Sequence, residues 1–348
     1  MKEMLVSFII PAYNAADTIE RCLNSIVTQS WGDMSYEIIV IDDASTDDTC
    51  DVVAAYQSKH PNITLLKQPE NHRQGAARNR GVKIAKGEYV CFVDSDDAVT
   101  EGIVSAIRLA KEKQTDMTIL HYANANENGD ITSEGESLSF TDGQIFTGIE
   151  MQNRHPYWCA APWAYIYNKE FLNRVNYPFA EDVLYEDTDF IIAHLYQAKR
   201  MAYSRELGYM MYFRESSTTH SMTHKNLADY LLLGTRMMAL FERMNSRLDI
   251  GDLILENEDI EKFAEGVLEG ACYNVAKACM RLIKLADLSE VRAYYKRVDI
   301  YVNRRGIVTN KRYRSYYWNA WTGMCLKYKK VAIAALAVMM PIYKGMRR

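Results

Sequence analysis

The stretch 89-YVCFVDSDDAV-99 runs an apolar strand directly into three closely spaced carboxylates, Asp94, Asp96 and Asp97. Like charges this close repel one another, so the arrangement is costly unless a cation or a strong hydrogen-bond donor offsets the repulsion. Taken alone, the cluster fits two interpretations equally well. It is either a divalent-cation site or a set of acidic residues that favours the N-terminus of a helix starting near Thr100.

Short apolar runs alternate with amphipathic segments over residues 5–122. The runs are bounded by polar turns, as expected for strands buried on both faces of a parallel sheet. They are LVSFII, YEIIVI, ITLL, YVCFV and MTILHY. Between the first two, a helix is predicted behind a candidate N-cap at Asp17. Its apolar face comprises Ile19, Cys22, Leu23, Ile26 and Val27. This order predicts an α/β fold, a doubly wound and mostly parallel sheet with helices on both faces, followed by a mainly helical C-terminal region.

Ligands bind such sheets at the carboxyl ends of the strands, where Asp42, Asp43 and the acidic cluster are expected. Two familiar nucleotide sites are excluded by their missing glycines. No GxG follows the first strand or occurs anywhere else, and no GxxxxGK is present. An Asp-rich strand end can instead hold Mg²⁺ or Mn²⁺ together with the diphosphate of a substrate.

Composition indicates an ordinary globular protein of 348 residues, 48% of them hydrophobic and 25% charged. The seven cysteines contain no CxxC pair, and the N-terminus has no signal-peptide pattern, so a cytoplasmic location is expected. The net charge of −4 is unevenly distributed. After Asp299 the chain contains eleven Lys and Arg but no Asp or Glu. This split indicates a tail that meets an anionic surface.

Five motifs follow one another in a fixed order: SFIIPAYNAADTIERCLNSI, EIIVIDDASTDDT, GAARNRG, GEYVCFVDSDD and LYEDTDF. This series resembles the family-2 inverting glycosyltransferases of the GT-A fold, over about residues 5–220. We therefore predict three regions: a GT-A catalytic domain over residues 1–222, a helical region over 223–300 and a basic, aromatic tail over 301–348.

The resemblance implies roles for the residues that match the family's motifs. The positions expected to contact the nucleotide or the donor sugar are Pro11, Tyr13, Asn14, Asp43, Arg78, Asn79, Asp94, Ser95, Arg214 and Ser217. Asp94 and Asp96 match the metal-binding pair for Mn²⁺ or Mg²⁺, with Asp96 the more direct ligand and His220 an additional candidate. By spacing alone, Asp43 reads as a turn or helix cap and Arg78 as a solvated helix residue.

An inverting transfer needs a base to accept the proton of the acceptor hydroxyl. The resemblance implies that Asp187 is this base, with Glu186 beside it, although two adjacent acids also suit a helix N-terminus. Trp163 matches an aromatic residue on the acceptor side and is equally well read as a core tryptophan. Three positions depart from the family's pattern. Tyr165 replaces a common lysine, while Arg73 and Ala44 stand where glycine is usual.

The tail interleaves basic and aromatic residues and ends in an apolar stretch, Val331–Tyr343, that is too short to span a bilayer. It suits an element lying on a membrane surface, which would place the enzyme on the inner face of the cell membrane. A core helix with a basic face is the alternative. Nucleic-acid binding is not expected, since no nucleic-acid module accompanies these residues.

Together these observations predict a metal-dependent inverting glycosyltransferase of hexosyltransferase type. Its donor would be a nucleotide-diphospho-sugar, most commonly a UDP-sugar, and its acceptor a glycan or lipid-linked hydroxyl in cell-surface polysaccharide synthesis. Two alternatives remain open at this point. One is a catalytically silent nucleotide-sugar-binding scaffold at the membrane. The other is a sugar nucleotidyltransferase, which would carry a glycine-rich basic loop that this sequence lacks after its first strand.

Overall fold

A computed structural model describes residues 5–213 apart from 136, 142 and 156–160, together with the later positions 229, 233, 236, 237, 240, 259, 262 and 263. All the elements below belong to the first of two compact units, which comprises residues 1–217 and 250–259. Arg214, Ser217 and His220 lie outside the described residues, as do the tail and nearly all of the predicted helical region.

Nine strands in the described part of the chain form one sheet. In chain order they are β1 Val6–Ala12, β2 Tyr36–Asp42, β3 Ile63–Lys67, β4 Tyr89–Phe92, β5 Ala98–Val99, β6 Met117–Ala125, β7 Ile131–Glu134, β8 Tyr165–Asn168 and β9 Met201–Tyr212. Their spatial order is β3-β2-β1-β4-β8-β6-β9-β5, and β7 pairs with β6 beside this path. The five predicted apolar runs correspond to β1, β2, β3, β4 and β6.

Strand β4 is the boundary between two differently built halves of the sheet. Strands β3, β2, β1 and β4 are all parallel, as predicted. Beyond β4 the sheet is mixed, because β8 is antiparallel to both β4 and β6, while β9 is parallel to β6. The strands of the first half are mainly apolar, and every residue of the central strand β1 is buried, as expected for a strand covered on both faces.

Seven α-helices are described between the strands. They are α1 Ile19–Val27, α2 Thr49–Lys59, α3 Arg73–Ile84, α4 Gly102–Lys113, α5 Gly148–Arg154, α6 Lys169–Val175 and α7 Asp187–Gln197. Helix α3 packs on β1 and β2, and α4 packs on β6 and β9. None of the helices in the described ranges is long and apolar enough to cross a bilayer.

The start of α1 differs from the prediction by one residue. Thr18, not Asp17, occupies the N-cap position, and no side chain caps the helix there. Ile19, Cys22, Leu23 and Ile26 are buried as predicted, whereas Val27 is only partly so. The apolar period therefore identified the buried face of α1, but not its first residue.

Candidate active site

The acidic cluster forms a turn between β4 and β5, not the first turn of a helix. The next helix, α4, begins only at Gly102, with Glu101 in its N-cap position and no side-chain cap. The short strand β5 separates the cluster from this helix. Asp94, Ser95 and Asp96 are partly exposed at the carboxyl end of β4. The helix-capping interpretation of the cluster is therefore wrong.

Asp97 differs from the other two aspartates because it is buried, with 3% of its surface exposed. Its Oδ2 accepts a hydrogen bond from the Tyr209 hydroxyl at 2.8 Å, and its Oδ1 accepts one from the Tyr212 backbone N–H at 2.8 Å. Burial, together with the charges of Asp94 and Asp96, raises the pKa of Asp97 well above its usual range. Since both oxygens already bind β9, Asp97 anchors the turn and does not face a ligand.

Arg78 lies on α3 and is buried, with 2% of its surface exposed. Its Nη2 donates to Asp94 Oδ1 at 2.7 Å, and its Nη1 donates to Glu186 Oε1 at 2.5 Å. Burial alone would lower the pKa of Arg78, but the two carboxylates outweigh that effect and raise it. One guanidinium therefore joins the turn after β4 to the N-terminus of α7.

Glu186 and Asp187 occupy the N-cap position and the first residue of α7, so their placement at a helix N-terminus is observed. The Glu186 side chain is fully buried, and its Oε2 has no hydrogen-bond partner among the described residues. Asp187 is partly exposed. Burial, with a further contribution from the Glu186 charge, raises the pKa of Asp187 to about 7, although Arg78 opposes the shift. A carboxylate with such a pKa can accept a proton near neutral pH.

The GAARN motif brings α3 against the loop that precedes α7. At Gly75 a Cβ atom would stand 2.1 Å from the Ala180 carbonyl oxygen, so only glycine permits this approach. Asn79 holds the same loop: its Nδ2 donates to the Phe179 carbonyl and to Glu181 Oε1, and its Oδ1 accepts from the Phe179 N–H. In this structure Asn79 therefore supports the loop that positions Glu186.

The predicted nucleoside-binding residues lie at the carboxyl ends of β1 and β2. Pro11 is buried at the end of β1, and Tyr13 beside it is 50% exposed. Asn14 Oδ1 accepts from the Thr46 N–H at 2.8 Å, which ties the two strand ends together. The half-exposed Tyr13 ring offers apolar surface on which a planar ligand could stack.

Asp43 is buried at the end of β2 and binds the segment that follows β3. Its Oδ1 accepts from Gln68 Nε2 at 2.6 Å and from the His72 N–H at 2.8 Å. The His72 imidazole in turn contacts Asp182 Oδ1 at 2.9 Å. This hydrogen bond raises the pKa of His72. The strand ends at which the nucleoside is predicted to bind are thus linked to the loop before α7.

Several non-glycine residues around the site have left-handed backbone conformations, which cost energy in L-residues. Two of them are the departures noted from the sequence, Ala44 at φ 62° and Arg73 at φ 65°. The others in these loops are Asn14, Asp182 and Tyr185. The glycine usual at the first two positions in the family would adopt these angles without strain.

Trp163 and Tyr165 both lie in the interior. Trp163 stacks on Tyr209 with ring centroids 4.5 Å apart and an interplanar angle of 6°. Tyr122 meets the Trp163 ring edge-on at 5.0 Å. Tyr165 is 1% exposed within β8. Both predicted acceptor-side residues therefore pack beneath the surface of the site in this structure.

The residues fit a divalent cation of the kind that shares its ligands with a phosphate. The described ranges contain no group of three or more His, Cys, Asp and Glu side chains arranged to enclose a metal. Asp94 and Asp96 nevertheless offer two carboxylates on one exposed turn. Mg²⁺ and similar hard cations commonly use one or two carboxylates and take their remaining ligands from water and substrate phosphates. Two carboxylates are thus sufficient for such a site.

Comparison with known proteins identifies the domain. Residues 7–175 match the family described as Glycosyl transferase family 2. The chain carries a family-2 glycosyltransferase domain. It is 29% identical over 252 residues to the Escherichia coli uncharacterized glycosyltransferase YibD, covering 69% of this chain and 71% of that protein. The predicted family and the predicted enzyme class, a glycosyltransferase, are therefore confirmed.

A second relative shares a shorter segment with the glycosyltransferase domain. The poly(ribitol-phosphate) beta-glucosyltransferase of Bacillus spizizenii is 42% identical over 118 residues, which span 33% of this chain but only 19% of that enzyme. A crystal structure of Staphylococcus aureus TarS 1-349 in complex with UDP-GlcNAc superimposes with a TM-score of 0.66 at 20% identity, covering 98% of this chain and 92% of that chain. This likeness confirms the GT-A fold.

The structure also identifies supporting residues that the sequence did not indicate. Tyr209 binds the acidic turn, Arg21 donates to the Asp96 carbonyl, and His72 pairs with Asp182. Tyr209 and His72 lie outside the five motifs, and Arg21, although it lies within the first, is not a position to which the resemblance assigned a role. The matched family segment ends at residue 175, so Glu186, like Tyr209, lies beyond it.

Proposed function

We propose that this glycosyltransferase domain transfers a sugar, with inversion, from a nucleotide-diphospho-sugar to a hydroxyl of a glycan or lipid-linked acceptor in cell-surface polysaccharide synthesis. The observation that carries the proposal is the double ion pair of Arg78, which brings the Asp94 turn and the Glu186–Asp187 pair into one cluster. The proposed site for the leaving diphosphate and the candidate base are thus held next to each other.

In the proposed reaction Asp187 accepts the proton of the acceptor hydroxyl while the acceptor oxygen bonds to the anomeric carbon. The bond from that carbon to the diphosphate breaks on the opposite face, and the nucleoside diphosphate leaves. A pKa of about 7 suits Asp187 to this role, because it is deprotonated at slightly alkaline pH and still basic enough to take the proton.

Glu186 and Arg78 prepare this base without contacting the acceptor. Burial is the main cause of the raised pKa of Asp187; the Glu186 carboxylate raises it further, and the Arg78 guanidinium lowers it, so these two side chains adjust the working pH. Because Arg78 also holds Asp94 at 2.7 Å, the same side chain fixes the turn on which the diphosphate would rest.

Asp94 and Asp96 are the residues that would hold Mn²⁺ or Mg²⁺, and the predicted His220 lies outside the described residues. A divalent cation there would supply Lewis-acid stabilisation of the charge on the departing diphosphate. Without it, the two carboxylates would repel a diphosphate, so nucleotide binding should depend on the cation.

Names of relatives support the substrate class. The Bacillus spizizenii relative is a poly(ribitol-phosphate) beta-glucosyltransferase, and the TarS structure contains UDP-GlcNAc. Both lead us to favour a UDP-sugar and a cell-wall or surface glycan. The membrane surface remains a proposed partner of the basic tail, and the inner face of the cell membrane the proposed location, on the strength of the eleven unopposed basic residues.

The experiment is a calorimetric titration of UDP, GDP and CDP, each with and without Mn²⁺, into the full chain and into Asp96→Ala. We expect one nucleotide to bind the unaltered protein tightly, only with Mn²⁺, and to bind Asp96→Ala much more weakly. Equally weak binding of all three, whatever the metal, would contradict the proposal and favour a silent scaffold. Turnover of the matching nucleotide-sugar by the full chain, absent in Asp187→Asn, then separates an enzyme from a binding protein.

A further inference from the structure

Resting on the function proposed above, the geometry points to Tyr209 as a positioning residue that fixes the metal- and diphosphate-binding turn. Tyr209 lies on β9, which is hydrogen-bonded to β5 on one side and to β6 on the other. It does not need to contact the substrate. Its hydroxyl acts through Asp94 and Asp97, the residues that begin and end the turn.

The Tyr209 hydroxyl makes one hydrogen bond to each end of the turn. The Asp94 backbone N–H donates to this oxygen at 3.1 Å, and the hydroxyl donates its own hydrogen to Asp97 Oδ2 at 2.8 Å. The turn is closed by the Asp97 N–H, which donates to the Asp94 carbonyl at 3.0 Å. Since both ends are tied to the same oxygen, the segment between them, with Asp96 at its tip, has little freedom to rotate.

Tyr209 is itself held in one orientation. It is fully buried, and the Trp163 ring stacks on it at 4.5 Å. A β-bulge lies just before it: Ser204 pairs with Leu120, but the next two residues of β6 pair with Leu207 and Tyr209. Bulges re-aim the side chains that follow them and are frequent beside active sites. The bulge and the ring stack together direct the hydroxyl at the acidic turn.

A two-carboxylate metal site is sensitive to such an anchor. Ligating groups must be held within about 0.5 Å of the productive geometry, and here only two protein ligands are proposed. Without the hydroxyl, the Asp94 N–H and Asp97 Oδ2 would both lose their partner, and the turn could reorient. The expected loss is in cation-dependent nucleotide binding, and binding without the cation should be unaffected.

The test compares Tyr209→Phe with Tyr89→Phe. Tyr89 is also buried on the sheet, and its hydroxyl donates to the Ala110 carbonyl at 3.0 Å, so both variants lose one buried tyrosine hydroxyl. UDP, GDP and CDP are titrated with and without Mn²⁺ into each variant and into the unaltered chain. For the nucleotide that binds, we expect Tyr209→Phe to weaken binding with Mn²⁺ by roughly tenfold, as for loss of a well-placed hydrogen bond. Tyr89→Phe should bind like the unaltered chain.

The outcomes separate this inference from the proposed function. If the unaltered chain shows no Mn²⁺-dependent binding of any nucleotide, both fall together. Suppose that the unaltered chain shows this binding, that Asp96→Ala loses it and that Tyr209→Phe keeps it. The proposed function then stands, and the positioning role of Tyr209 is wrong. An equal loss in Tyr89→Phe would also overturn it, since the effect would then be general. Should Tyr209→Phe not fold, Asp97→Ala removes the carboxylate to which the same hydroxyl donates and should weaken Mn²⁺-dependent binding in the same direction.

Discussion

Asp187→Asn should make the protein more stable at alkaline pH while strongly reducing its turnover. The pKa of Asp187 rises from an ordinary 3.8 to about 7. At a pH between these two pKa values, the folded protein keeps a proton on this acid, whereas the unfolded chain has released it. The stability contributed by this proton is therefore complete only below about pH 3.8 and is lost progressively as the pH rises through about 7.

The magnitude follows from the shift. A difference of about three pKa units corresponds to about 4 kcal/mol at roughly 1.4 kcal/mol per unit. Because Asp187 is partly exposed, water screens part of this cost, and we expect a net gain of about 1–2 kcal/mol for Asp187→Asn at pH 8.5. At pH 5 the folded aspartate is already neutral but the unfolded one is ionised, so about a third of the gain should remain, and it should vanish below about pH 3.8.

The assay is urea unfolding of the full chain and of Asp187→Asn at both pH values. Asp33→Asn, at an exposed loop position, serves as the control and should change stability equally at the two pH values. Equal stability of Asp187→Asn and the unaltered chain at pH 8.5, or a gain of the same size at pH 5, would show that Asp187 does not carry this pH dependence. Turnover by Asp187→Asn should fall by about 10²–10⁴-fold, the usual contribution of a general base.

Two further changes test the surroundings of the site. Arg78→Met leaves two carboxylates without their shared partner, so we expect a loss of about 3–5 kcal/mol in urea unfolding; a loss below about 1 kcal/mol would mean that the ion pairs contribute little. Ala44→Gly removes strain at φ 62° and should stabilise the protein by about 0.5–1 kcal/mol. The matched change Ala55→Gly, on the exposed face of α2, should cost about 1 kcal/mol, and identical signs for the two would contradict the strain argument.

Sequence patterns predicted the parallel half of the sheet well, because its strands are mainly apolar. In the second half they indicated β6 but not β8. Strand β8 and helices α5 and α6 fall in residues 124–180, where no regular period is visible, and their placement depends on contacts between distant segments. Antiparallel pairing of β8 with β4 and β6 leaves no local signal in any of the three strands.

For the candidate site, too, the sequence predicted some features and not others. The motif order led to Asp94, Asp96, Glu186 and Asp187, but not to the way they are held together. Helix α3 has a weak apolar stripe, so Arg78 reads as a surface residue, and its burial depends on two carboxylates, 16 and 108 positions away. Tyr209 lies 112 residues from Asp97 and in no motif. Supporting residues of this kind become visible only once the strands are placed side by side.

The boundary at β4 has a consequence for protein engineering. Residues on one side of it bear the proposed nucleoside contacts, and residues on the other bear the base, so the two functions could be exchanged between enzymes as cassettes. A transplant of residues 176–213 from another glycosyltransferase would have to supply four things to its new host: an acid for Arg78, a backbone amide and carbonyl for Asn79, a backbone that approaches Gly75 closely, and a tyrosine hydroxyl for the acidic turn. These four contacts specify the junction at which new acceptor specificities could be grafted onto an unchanged donor half.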